Sequence, residues 1–88
     1  MTWRLELSAK AQKELDHVPE PDRAKILFRL WDLKTDPNPR GCVKITGSHY
    51  WRLRQGNWRA IYLIDPESHQ VLIARVVRRN ERTYEGLS

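Results

Sequence analysis

The chain has 88 residues, 16 Lys/Arg against 11 Asp/Glu, one cysteine and a net charge of +5. That length makes one domain, residues 1–88, with a single modest core. No apolar run reaches the 18 residues of a membrane span, no basic-then-apolar leader opens the chain, and Cys42 has no cysteine to pair with, so a soluble, cytoplasmic protein with no membrane partner is expected.

Thr2 to Leu7 alternates, with Trp3, Leu5 and Leu7 on one side and Arg4 and Glu6 on the other, the period of a half-buried strand. Ser8 can cap a following helix, because its hydroxyl can accept from a backbone N–H two or three residues on. From Ala9, the run AKAQKELDHV places Ala11, Leu15 and Val18 at helical spacing, and Pro19 and Pro21 end it. A second helix is expected over Asp22 to Thr35, with Asp22 as cap or Pro21 as first residue. Its apolar stripe, Ile26, Leu27, Leu30, Trp31 and Leu33, is broad, as for a helix laid across a sheet; Trp31 reads as core or partner interface. Asp36 to Gly41, DPNPRG, is a dense turn signal.

Cys42 to Ile45 reads as a short extended segment before a Gly47-Ser48 turn, and Cys42 as a small half-buried hydrophobe rather than a nucleophile. Three strands follow. In the first, Trp51 and Leu53 face one side and Arg52 and Arg54 the other. Gln55-Gly56-Asn57 is a hairpin connection, and Trp58 to Ile64 is apolar enough for a central strand covered on both faces, interrupted by Arg59. Asp65-Pro66-Glu67-Ser68 makes a turn, and Val71 to Val77 is the last strand. The fold class is α+β: a small, mostly antiparallel sheet with an N-terminal strand, a two-helix hairpin packed on one face and three C-terminal strands. The opposite sheet face is expected to collect arginines.

Residues 1–39 balance seven basic against seven acidic side chains, whereas residues 40–88 hold nine basic and four acidic. The whole excess lies in the strand-bearing half, which favours a polyanion at one face. Arg52, Arg54, Arg59, Arg75, Arg78, Arg79 and Arg82 all fall between Tyr50 and Tyr84, among three tyrosines and two tryptophans. His17, His49 and His69 lie far apart, no Cys/His spacing suits zinc, and neither a metal nor a cofactor is expected.

RNA can be cut without a metal when a ribose 2′-OH attacks the neighbouring phosphorus. A base must take the hydroxyl proton, cations must stabilise the phosphorane, and an acid must protonate the leaving oxygen. The planar fork of arginine suits the second task, and its high pKa makes it a poor base. Crowding a cation with like charges, Tyr84, or His49 are the routes to proton transfer that the sequence leaves open.

Strand-helix-helix-strand-strand-strand order, with WRLRQGNWRAIYLI, then VLIARVVRR and a nearby tyrosine, resembles the RelE branch of the RelE/ParE toxin superfamily over nearly the whole chain. The resemblance implies a toxin of a type II toxin–antitoxin system, a ribosome-dependent mRNA endoribonuclease that inhibits translation by metal-independent 2′-OH attack. It implies catalytic roles for Arg52, Arg54, Arg59, Arg79 and Tyr84, and RNA contacts from Lys44, Arg75, Arg78 and Arg82. Arg78 and Arg79 can exchange roles, since Val77-Arg78 stands where family members often carry Gly-His or Gly-Lys. The implied partners are a cognate antitoxin, the ribosome and mRNA in its A site, with operator DNA reached only through the antitoxin complex. Two alternatives share the fold: a non-enzymatic ParE-like toxin that inhibits DNA gyrase, and an inactive member that only binds RNA.

Overall fold

The computed structural model describes residues 2–79, and Arg82 and Tyr84 lie outside them. Five strands and two helices follow in the order β1 (Arg4–Leu7), α1 (Ala9–Asp16), α2 (Asp22–Asp32), β2 (Cys42–Lys44), β3 (Trp51–Gln55), β4 (Trp58–Asp65) and β5 (Gln70–Arg78). The sheet order is β1-β5-β4-β3-β2. Only the β1–β5 seam is parallel; the other three are antiparallel. The expected α+β architecture is therefore present, with Cys42–Lys44 promoted from extended segment to edge strand.

Both helices lie on one side of the sheet. Ala11 and Leu15 from α1, with Val18 just beyond it, and Ile26 and Leu30 from α2, with Leu33 after it, meet Leu53, Ala60, Tyr62, Val71, Ile73 and Val76 in one core. Tyr62 is fully buried on the central strand, and its hydroxyl donates to the Pro37 carbonyl at 2.9 Å. That bond ties the Asp36–Gly41 turn to the sheet. Burial pushes the Tyr62 phenol far above its ordinary range, with Cys42 beside it adding to the effect.

Local capping follows the expectation for α1 and departs from it for α2. Ser8 Oγ accepts from the Ala11 N–H at 3.0 Å and also donates to the Ala74 carbonyl at 2.9 Å, so one side chain starts α1 and holds β5. At α2, Glu20 Oε1 accepts from the Ala24 N–H at 3.0 Å, and Asp22 instead accepts from Trp58 Nε1 at 3.0 Å. The second helix also ends earlier than its stripe suggests, at Asp32 rather than Thr35.

β1 stops opposite Ile73, which leaves the edge of β5 beyond it without a strand neighbour among the described residues. Glu14 of α1 fills that gap. Its Oε1 accepts from the Val76 N–H at 2.9 Å, and its carboxylate grips Arg75 through Nε at 3.0 Å and Nη2 at 2.6 Å. A sheet edge that would otherwise present open backbone donors is thereby covered by a helix.

Candidate functional site

The turn between β3 and β4 has two residues, Gly56 and Asn57, and Gly56 supplies a positive φ of 57° that other side chains adopt only with strain. This short turn locks the pairing Arg52↔Ile61, Leu53↔Ala60, Arg54↔Arg59 and Gln55↔Trp58. Directly paired residues share a face. Leu53, Ala60 and Trp58 belong to the helix side, so Arg52, Arg54 and Arg59 stand together on the other.

Arg54 and Arg59 are direct cross-strand neighbours. Like charges in that relation are destabilising and create a strong local positive field. Their settings differ: Arg59 is 8% exposed while Arg54 is exposed and Arg52 half-buried. Around Arg59 the same face carries buried apolar floor, Ile61 between Arg52 and Arg75, and Val77 opposite Arg59. A guanidinium set among apolar atoms in this way binds anions more strongly than one in bulk water, because the effective dielectric is lower.

A β-bulge decides which residues of β5 join them. Ile61 pairs with Arg75 and Tyr62 with Ile73, so Ala74 is the extra residue. Strict alternation from Val71 and Ile73 would have turned Arg75 and Val77 toward the helices. The bulge reverses this, sending Val76 to the core and Arg75 and Val77 to the arginine side. Arg78 pairs with Trp58 and lies over its ring, with Cζ 4.9 Å from the ring centroid, on the helix side. Alternation then gives Arg79 to the arginine side, where its N–H donates to the Asn57 carbonyl at 2.7 Å and continues the ladder past the hairpin turn.

Arg52, Arg54, Arg59 and Arg79 thus come together around the Gly56–Asn57 turn. Arg75 borders them, held by Glu14. Lys44 pairs with Trp51 and so sits on the helix side of edge strand β2, apart from that group. His49 is exposed in the loop before β3. Among the described residues, no group of three or more His, Cys, Asp and Glu could hold a metal ion, and no helix is long and apolar enough to cross a membrane.

Two features of the site escape sequence reasoning. The Ala74 bulge carries no turn residue to announce it. The Asp22–Trp58 bond, which steadies the base of β4 beside Arg59, joins residues 36 apart with no local pattern.

A family model described as the ParE toxin of type II toxin–antitoxin systems (parDE) matches residues 5–83. No curated protein sequence matches significantly. Among solved structures, the chain resembles the archaeal RelE–RelB complex from Pyrococcus horikoshii (24% identity, covering 92% of this chain and 99% of that one, TM-score 0.81). It is similar in fold to the RelBE2 toxin–antitoxin complex from Mycobacterium tuberculosis (24%, covering 92% and 95%, TM-score 0.77). The same holds for an arginine-to-alanine variant of the E. coli toxin RelE in the free state (19%, covering 97% and 92%, TM-score 0.79). With its helical hairpin, its five-stranded sheet and a family match over most of its length, the chain belongs to the ParE toxin family of type II toxin–antitoxin systems and has the fold of the RelE toxins.

Proposed function

We propose that the protein is the toxin of its type II system by virtue of cutting mRNA on the ribosome, with the arginine face as the cutting site. The observation that carries this reading is the direct opposition of Arg54 and Arg59 across the β3–β4 hairpin, with Arg52 one pleat along on the same face. An RNA phosphate held between two planar forks offsets that repulsion.

In this reading Arg59, nearly buried, is the principal clamp on the phosphorane that forms when a 2′-OH attacks. Arg54 and Arg52 bind the flanking phosphates, and Arg79, beside the turn, neutralises the departing oxygen. Tyr84, outside the described residues, and His49 are the candidates for proton transfer. Arg75 and Arg82 are assigned to the wider RNA path, whereas Lys44 and Arg78 stand on the helix side and meet RNA only where it passes around the edge of the sheet. Catalysis then rests on positioning and on charge stabilisation. The ribosome supplies the ordered message, and the cognate antitoxin silences the protein in the cytoplasm; operator DNA is reached through the antitoxin.

Purified protein added to translating ribosomes is expected to cleave message, leaving 2′,3′-cyclic phosphate and 5′-OH ends, read by primer extension and end-group analysis. Intact message overturns the proposal. DNA gyrase cleavage complexes in cells expressing the protein would then identify the ParE-like mode, which the family match makes the specific competitor. Message bound but uncut would identify an inactive RNA binder.

A further inference from the structure

The end of the sheet carries a second row of side chains, back to back with the arginines. Gln55 pairs with Trp58, and Trp58 with Arg78, so the three stand side by side across β3, β4 and β5 on the helix side. With strands about 4.8 Å apart, the row is about 10 Å from end to end. Trp58 is half-buried and fixed: it packs against the core, and its Nε1 donates to Asp22 at 3.0 Å. Arg78 lies over that ring, with Cζ 4.9 Å from the centroid, and is itself exposed. Among the described residues no carboxylate pairs with Arg78, in contrast to Arg75, which Glu14 grips at 2.6 Å.

This row has the chemistry of nucleobase recognition. A guanidinium is planar, and with the indole on one side of it the other side is open to take a base in a stack. The indole also holds the guanidinium in place, so an arriving base meets a surface already ordered. Gln55 ends the row with an amide, which both donates and accepts and so matches the N6/N7 edge of adenine. The row behind it on the other face, Arg54, Arg59 and Val77, has neither an aromatic ring nor an amide.

The two faces are joined at the sheet's end. Arg79 follows Arg78 and takes the opposite face, and its N–H donates to the Asn57 carbonyl at 2.7 Å. Beside it, Gly56 has no side chain, and nothing stands within 4 Å of where a Cβ would be. A nucleotide whose phosphate lies at Arg79 therefore has an open way round the turn to Arg78.

We propose that Gln55, Trp58 and Arg78 form a base-binding site for the first nucleotide downstream of the cut, favouring a purine and, through Gln55, adenine. This rests on the reading of the arginine face as the cutting site, in which Arg79 neutralises the departing oxygen, the one that the downstream nucleotide carries. Purines are favoured because their larger rings stack more strongly. Arginines on one face hold phosphates, and the row on the other reads a base.

The test maps cuts by primer extension on translating ribosomes, with messages in which the base after the cut is varied. The wild-type protein should favour a purine there by about 10-fold, the scale of one stacked base. Arg78→Ala and Arg78→Lys change an exposed side chain and should keep a native circular dichroism spectrum. Both should flatten the purine bias and raise KM for programmed ribosomes about 10-fold, since lysine keeps the charge and loses the plane. Gln55→Ala should keep the purine bias and lose the preference for adenine over guanine. A wild-type protein without base preference at that position overturns the proposal. So does an Arg78→Lys variant that keeps the bias, which would make Arg78 a phosphate contact only.

A second arm needs no cutting. Short single-stranded RNA, with its purines replaced one at a time by abasic ribose, is titrated with protein and read by fluorescence anisotropy. One position should cost the wild type about 10-fold in affinity and cost Arg78→Ala nothing. Equal losses in both proteins overturn the base site. A protein that passes this arm but leaves message intact sinks the cutting activity and upholds the base site, whereas one that cuts without base preference sinks the base site alone.

Discussion

Arg59 and Tyr62, three residues apart on β4, show how one strand serves two faces. Arg59 faces the arginine side with 8% exposure, and Arg59→Ala removes the least exposed of the proposed clamps. Cleavage on ribosomes should fall by about 10²-fold or more, the scale of losing one fixed charge-stabilising donor, while circular dichroism stays native. Growth arrest at the wild-type level by this variant would sink its central role. Tyr62 faces the core, and Tyr62→Phe strands the Pro37 carbonyl. It should cost about 1 kcal/mol, measured by urea unfolding. The raised phenol also sets an alkaline limit. The folded state favours the neutral form, so its contribution is complete below the ordinary value of 10.0 and is lost as pH rises above it. In the Tyr62→Phe variant that alkaline loss should shrink.

At the scale of elements, the strands and helices were legible in the sequence because their periods differ. Trp3-Leu5-Leu7 and Trp51-Leu53 alternate by two, while Ala11-Leu15-Val18 and Ile26-Leu30-Leu33 recur at helical spacing. The face on which the β3 arginines stand was legible for the same reason. What β5 contributes was not, because a bulge shifts every later side chain to the other face, and Ala74 has no chemistry to mark it. Nor does periodicity distinguish the buried stripe of α2 from the exposed one; only the sheet's position separates Leu30 from Trp31. Ser8 links these elements, capping α1 and binding the carbonyl of the bulged Ala74. Ser8→Ala should therefore destabilise by about 2 kcal/mol, a cap and a tertiary hydrogen bond together, measured as a drop in thermal midpoint of about 8–16 °C. A change below 2 °C would show that neither bond matters.

Over the whole molecule, the sheet is a partition. Helices and core occupy one side, and most of the strand arginines the other, so the +5 charge becomes a directional field rather than a uniform one. Binding of single-stranded RNA should accordingly weaken steeply with salt. If Arg52, Arg54, Arg59 and Arg79 each neutralise one phosphate, log K against log salt should have a slope of about −3. Removing Arg54 should make that slope shallower by about 0.7, whereas Lys10→Ala on α1 should leave it unchanged.

The parallel seam between β1 and β5 has a consequence in time. Residues joined there, such as Ser8 and Ala74, are 66 apart in the chain, and β5 lies between β1 and β4. Until β5 has been made, β1 has no partner and α1 has neither the Ala74 carbonyl nor the Val76 N–H to hold. At about 5–20 residues per second, the nascent chain spends several seconds without the strand that completes its sheet. Arg79, which follows β5, is made later still. On the proposed function, the site that attacks translating ribosomes is thus complete only after β5 and Arg79 have been made.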